Sequence, residues 1–326
     1  MDGILEIAKV LVEPGIKLME LVGNAIGTIY EPWHKKRMAK ATAEEIRQIS
    51  SAINESINLP MVYKDGAIEI NSTNTNGLAQ RAQSRFLFQE MKKQQNIEAV
   101  VQNAYLELEG KEKVTNEPVD EDWVCSFFDH VANVGNEQMQ LLWGKVLAGE
   151  IEHPGSFSIR TLDILRKMSQ KEAQLFTELV PYILQCYGDN TKSFFDYFVL
   201  NCSNADGILM NKYGFSFPKI VILNEAGLIS ANGMIMIRAE VPAKTKTQIR
   251  GFDRNIVIEN NGFMHSEIAQ AAYILTENGK ELYSVVKKMC TLAPVDQYFL
   301  DCIEGLKGNA LYSQNTRDLQ MSISFV

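Results

Sequence analysis

Apolar positions fall into helical spacing over most of this chain. Between Ile16 and Tyr30, the residues Leu18, Leu21, Val22, Ala25, Ile26 and Ile29 recur at three and four positions, and Pro32 stops the helix beyond Tyr30. Ile46, Ile49, Ile53 and Ile57 mark a second helix from about Lys40 to Ile57. From Asn58 to Gly77 the rhythm breaks: Pro60, the Asp65-Gly66 pair and the alternating Ile68 and Ile70 predict a loop or a small hairpin. From Leu78 to about Leu108 no Pro or Gly interrupts a run of helix formers, which predicts one long helix.

Asn116-Glu117-Pro118 marks the next boundary. Trp123, Phe127, Phe128 and Val131 predict a helix, and Met139, Leu142, Trp143, Val146 and Leu147 predict another. Pro154-Gly155 makes a turn, Ile159, Leu162, Leu165 and Met168 a third helix, and Ser169 with Glu172 reads as a capping box opening a fourth. After about residue 205 the period mixes. LNEAGLIS (Leu223 to Ser230) leads into alternation at Met234, Met236 and Arg238, repeated at Ile256 and Ile258. Ala272-Tyr273-Ile274 is strand-like, LTENGKEL (Leu275 to Leu282) opens a helix to about Met289, and a last helix runs from near Pro294 to Gly308. The fold class expected is mainly α, α+β overall. It has three regions: long N-terminal helices over 1–118, a central helical domain over 119–200 and a small winged-helix-like α+β domain over 201–326.

Composition narrows the class. A length of 326 residues favours two or three domains, and 46% hydrophobic with 22% charged residues is globular composition. The net charge of −8 argues against a surface that embraces nucleic acid throughout. That acidity is local, because residues 119–200 carry 12 acidic and 6 basic side chains and the C-terminal region is neutral. Five cysteines at 125, 186, 202, 290 and 302 form no CxxC pair, so reduced thiols are expected. The N-terminal apolar stretch is interrupted by Glu6, Lys9, Glu13, Lys17 and Glu20, unlike a signal peptide, which makes the expected location cytoplasmic.

Chemical signatures are sparse. His34, His130, His153 and His265 lie far apart with no ligand spacing, and solvated or capping roles are expected of them. No GxSxG, SxxK or phosphate-loop motif occurs, and the Asp120, Glu121 and Asp122 trio suits a helix N-terminus. No catalytic residue, cofactor or metal is therefore expected. Two segments carry candidate contacts. Lys244, Lys246, Arg250 and Arg254 lie in the stretch VPAKTKTQIRGFDR against a single Asp253, and as a wing between two strands they would touch phosphates. A solvated hairpin tip on a module for protein contacts is the alternative. Leu18, Leu21, Val22 and Ile26, followed by Lys35, Lys36 and Arg37, would suit an anionic membrane surface or a partner helix.

The segment from Asp122 to Phe176, DWVCSFFDHVANVGNEQMQLLWGKVLAGEIEHPGSFSIRTLDILRKMSQKEAQLF, resembles a bacterial family known as domain of unknown function 2806. The likeness is carried by Trp123, Gln140, Leu142, Trp143, Leu147, Ala148, Gly149, Glu150, Pro154, Gly155, Ser156, Phe157, Arg160 and Leu162. The flanks IGTIYEP, RAQSRFLFQEMKKQQNIEAV, LNEAGLI and LTENGKEL are similar too. No catalytic residue follows from this resemblance. By analogy it implies a place among mobile-element and abortive-infection genes, hence antiphage defence. Three functional readings are open: a non-enzymatic interaction or scaffold protein forming homo-oligomers through its N-terminal helices, a winged-helix DNA binder, and an effector in peripheral contact with membranes.

Overall fold

The computed structural model describes residues 11–26, 61–64, 67–70, 77–187, 197–201, 203–204, 207–231, 236–291, 296–308 and 319–325. The helix expected over 40–57 and the cluster Lys35, Lys36 and Arg37 lie outside them. The chain forms two units, Met1–Ile159 and Arg160–Val326. The stretch 119–200, expected as one domain, is thus shared between them.

In the first unit, β1 (Leu11–Val12) leads into α1 (Pro14–Ile26), and β2 (Met61–Lys64) pairs with β3 (Ala67–Ile70) as the small hairpin. The long helix α2 spans Leu78–Leu108 as its composition predicts. Only its second half is amphipathic in place: Ile97, Val100, Val101, Ala104 and Leu108 are buried, whereas Leu78, Phe86 and Phe88 in the first half are exposed. β4 (Val114–Thr115) pairs with β1, and α3 (Glu121–Val131) follows, its first turn fixed by the Asp120 carboxylate accepting from the Trp123 N–H at 2.8 Å. α4 (Glu137–Glu152) packs so closely on α2 that a Cβ on Gly144 would lie 2.5 Å from Asn103 Cβ. Trp123, Phe127 and Trp143 fill the space between α3 and α4, with Phe127 stacked on Trp123 at 5.1 Å and edge-on to Trp143 at 5.4 Å. His130, expected to be solvated or capping, is buried here, edge-on to Trp143. Burial of the α3 face reaches its last turn, so the ring packs as part of that face.

In the second unit, α5 (Ile159–Lys167) and α6 (Gln170–Leu179) are the two expected helices, and Ser169 and Glu172 form the full reciprocal capping box. The region 119–200 is not wholly helical, however. β5 (Leu184–Tyr187) and β6 (Tyr197–Leu200) are short strands whose aromatic and β-branched residues fit a pleated surface. The hairpin β7 (Ser203–Asn204) and β8 (Gly207–Ile208), then α7 (Leu209–Lys212) and α8 (Phe217–Glu225), lead to β9 (Ile229–Ser230). Next come β10 (Met236–Val241), β11 (Lys246–Arg250), β12 (Arg254–Asn260), β13 (Ser266–Leu275), α9 (Glu277–Met289), α10 (Asp296–Gly308) and β14 (Leu319–Phe325).

Eight of these strands form one antiparallel sheet in the order β10-β13-β6-β5-β11-β12-β14, with β9 also on β13. The ten-residue strand β13 joins its parts: Ser266 to Ala271 pair with β10, while Ala272 to Ile274 pair with β6. One face carries Leu184, Phe198, Ile249, Ile256, Ile258 and Ile268 against Tyr298, Phe299, Cys302, Ile303 and Leu306 of α10, and this is the core of the unit. The other face meets α9, whose Tyr283 ring lies 5.2 Å from that of Tyr197. The strands expected at Met234 to Arg238 and at Ile256 to Ile258 appear as β10 and β12, but they do not pair with each other.

Candidate functional site

The four basic residues expected on a wing are dispersed by the sheet. The stretch from Val241 to Arg254 is not a loop, because Thr247 and Ile249 alternate inward and make Lys246–Arg250 a strand between β5 and β12. Lys244 takes a positive φ of 58° in the preceding turn, where its ammonium donates to the Asn261 carbonyl and lies 4.3 Å from the Phe263 ring centroid. Lys246 faces Glu259 across the ladder at 3.2 Å. Arg254 points to the opposite face, held by Asp253 at 2.6 Å and Asp296 at 2.5 Å. These three meet carboxylates or carbonyls of their own unit, and only Arg250 reaches a cleft.

That cleft lies where α9 stops covering the sheet. Register sets its floor: Tyr197 opposes Gln185, Gln185 opposes Arg250, and Arg250 opposes Asn255, so four strands contribute one transverse row on the face away from the core. Gln248 adds a second amide two residues back on the same face of β11. The last turns of α9 supply the wall, with Tyr283, Ser284 and Lys287, and the turn Gly251-Phe252 closes one end. The cavity holds about 550 Å³. Lys287 is half-buried, its ammonium 5.6 Å from the Phe252 centroid and 5.7 Å from that of Tyr283. Burial lowers the pKa of Lys287, and the nearby Arg250 guanidinium lowers it further. Burial pushes the Tyr283 phenol up, so it stays a neutral donor. Among the described lining residues there is no Asp, Glu or His. The chemistry that the described lining residues offer is hydrogen bonding and attraction of negative charge.

Sequence reasoning missed Lys287, Gln185 and Tyr197. Lys287 reads as a dipole-compensating cation in a last helical turn. The other two belong to strands whose place beside β11 is set by sheet order, which no local pattern reports.

The segment expected to touch a membrane or partner is placed differently. Leu18 and Val22 are wholly buried in the first unit, and Leu21 and Ile26 are half-buried. Leu21 lines a cavity of about 490 Å³ with Lys17, Glu20, Glu117 and Glu121. Lys17 itself is a strut: its ammonium donates to the carbonyls of Thr115 at 2.9 Å and Ile151 at 3.0 Å, tying α1 to β4 and α4. Burial lowers the Lys17 pKa, against which the charges of Glu117 and Glu150 act. Glu150, equally buried, accepts from the N–H groups of Gly155 at 2.5 Å and Phe157 at 3.0 Å and so shapes the Pro154-Gly155 turn. Among the described residues, no helix is long and apolar enough to cross a membrane, and no group of His, Cys, Asp and Glu could hold a metal ion.

No curated protein and no solved structure matches the chain. A family model matches residues 80–299, a span that runs from the first turn of α2 into α10 and includes every described lining residue of the cleft. The chain therefore belongs to the family described as Protein of unknown function (DUF2806).

Proposed function

We propose that the protein is a non-enzymatic binding protein whose second unit takes an anionic small molecule into the cleft between α9 and the open sheet face. The observation that carries this reading is the convergence of Arg250 and Lys287, from a strand and a helix, beside neutral amides. Burial and the neighbouring Arg250 charge both disfavour the Lys287 ammonium, and an anion beside it offsets both terms. Pyrophosphate at constant ionic strength is the probe. It is expected to raise the melting midpoint of the second unit, followed by circular dichroism, and to leave that of Lys287→Gln unchanged. A ligand held at a hundredfold excess over its Kd stabilises by about 2.7 kcal/mol. A wild-type midpoint insensitive to pyrophosphate ends the reading.

A second reading, self-association of two copies, is favoured by the first half of α2, where Leu78, Phe86 and Phe88 are exposed among Arg81, Arg85 and Lys92. A place in antiphage defence as a self-associating component is kept with it. Sedimentation at micromolar concentration is expected to give an oligomer that Phe86→Glu dissociates. A wild-type monomer refutes the assembly, and phage plating that ignores the gene refutes the defence role.

A further inference from the structure

We infer that the turn linking β12 to β13 dips into the interfacial layer of a lipid membrane, with Phe263 and Met264 as the inserted side chains and Lys244 beside them at headgroup level. The inference is independent of the cleft. Phe263 is 89% exposed and Met264 61%, and among the described residues Phe263 is the most exposed large apolar side chain. Apolar residues scattered singly over a surface need no explanation. These two are adjacent, on a turn that is held from beneath by a buried side chain.

Asn260, 1% exposed, is that support. Its side-chain amide donates to the carbonyls of Val241 at 2.8 Å and Met264 at 2.9 Å and to the Ser266 hydroxyl at 3.2 Å, while its Oδ1 accepts from the Gly262 N–H at 2.9 Å. Its backbone N–H donates to the Thr245 carbonyl in the neighbouring turn between β10 and β11, where the Thr245 hydroxyl donates to the Pro242 carbonyl at 2.8 Å. In that same turn Lys244, at its positive φ, donates to the Asn261 carbonyl and sets its ammonium 4.3 Å from the Phe263 ring centroid. The two turns therefore form one tip. Within it the carbonyls of Pro242, Thr245, Asn261 and Met264 and the N–H of Gly262 have partners inside the protein. Backbone groups bonded in this way lose little when water leaves them, which is the condition for entering a lipid interface.

The extent of the patch selects the occupant. A stable protein interface buries about 1,200 Å² or more, whereas one aromatic side chain buries about 150 to 250 Å². Two side chains on a turn supply only a fraction of the first figure. A bilayer accepts an apolar tip of any outline and needs no matching pocket. Charge adds a modest preference for anionic lipid. Lys246 is paired with Glu259 and Arg238 with Glu267, and Glu240 sits back from the turn in β10, so Lys244 is the cation nearest the inserted ring.

Flotation of the full chain with vesicles of phosphatidylcholine, alone or with a quarter of phosphatidylglycerol, tests this. The protein is expected to float with both, and more with the anionic vesicles. Phe263→Ser combined with Met264→Ser is expected to lower partitioning at least tenfold on both, with an unchanged melting midpoint because neither side chain lies in the core. Lys244→Asn, which suits the positive φ, is expected to weaken partitioning about fivefold on the anionic vesicles only. Insertion is read directly in Phe263→Trp, whose added emission should shift to the blue with vesicles and be quenched by lipid brominated along its acyl chain. Absence of flotation with every vesicle overturns the inference. So does flotation that the double variant retains, or an indole that brominated lipid leaves unquenched. A wild type that ignores vesicles but associates with itself through Phe263 also overturns it, in favour of a second copy as partner.

Discussion

Asp301 is 3% exposed, and its carboxylate accepts from Lys212, Tyr213 and Gln297, each at 2.7 Å. Burial alone would raise its pKa, but these hydrogen bonds and the Lys212 charge outweigh it and hold the carboxyl below the usual range. A group depressed in the folded state contributes fully above the unfolded value of about 3.9 and loses its contribution as pH falls through the folded value. Asp301→Asn is therefore expected to cost about 2 kcal/mol at neutral pH, and the gap from wild type should narrow as the pH drops below about 3.9. Urea midpoints at pH 7 and pH 3 check it, and equal midpoints at pH 7 would refute it. The Asp301 cluster illustrates what a local reading reaches. Gln297 lies one helical turn from Asp301 and its contact is visible in the spacing, whereas Lys212 at the end of α7 and Tyr213 in the turn after it arrive by tertiary folding alone. The cleft divides the same way. Arg250 stands out in a basic run, but its neighbours Gln185 and Tyr197 are conferred by register.

At the scale of elements, the contact between α2 and α4 turns on Gly144. A Cβ there would meet Asn103 Cβ at 2.5 Å and the Ala104 backbone nitrogen at 3.0 Å. In an isolated helix alanine is better than glycine by about 1 kcal/mol. Here the helices would have to separate, and Gly144→Ala is expected to destabilise by about 1 to 3 kcal/mol, as overpacking does. Guanidinium midpoints decide the sign, and a stabilised variant would show that the helices yield freely. Element boundaries were the part of the fold most open to sequence. The helix over Leu78–Leu108 follows from its uninterrupted run of helix formers and that over Glu277–Met289 from the LTENGKEL opening, where the Thr276 hydroxyl accepts from the Gly279 N–H at 3.0 Å. The strands were less open. Lys246–Arg250 has only Thr247 and Ile249 facing inward, and five residues with two modest apolar members do not separate a central strand from a polar connection. β14 pairs with β12 along all seven of its residues; the alternation of Leu319, Met321, Ile323 and Phe325 with Gln320, Ser322 and Ser324 marks a strand, but its partner is set by non-local register.

At the scale of the whole molecule, the chain divides into a helical first unit and a second unit built on one antiparallel sheet. The contacts of Phe127 with Trp123 and Trp143 are short in sequence, while β5 with β11 and β12 with β14 join distant segments, so the sheet is expected to close more slowly than the aromatic cluster of α3 and α4. The aromatic cluster of α3 and α4 makes this separable by spectroscopy. All three tryptophans, Trp33, Trp123 and Trp143, precede residue 160, so emission excited at the tryptophan edge reports the first unit, while the second carries only tyrosine and phenylalanine. Stopped-flow refolding is expected to give a fast tryptophan phase and a slower far-ultraviolet phase, and one shared rate constant would contradict it. The packing of Trp123 and Trp143 thus gives the molecule a built-in optical label in its first unit. The arrival of a ligand in the cleft beside Lys287 is to be sought in the tyrosine bands of Tyr197 and Tyr283.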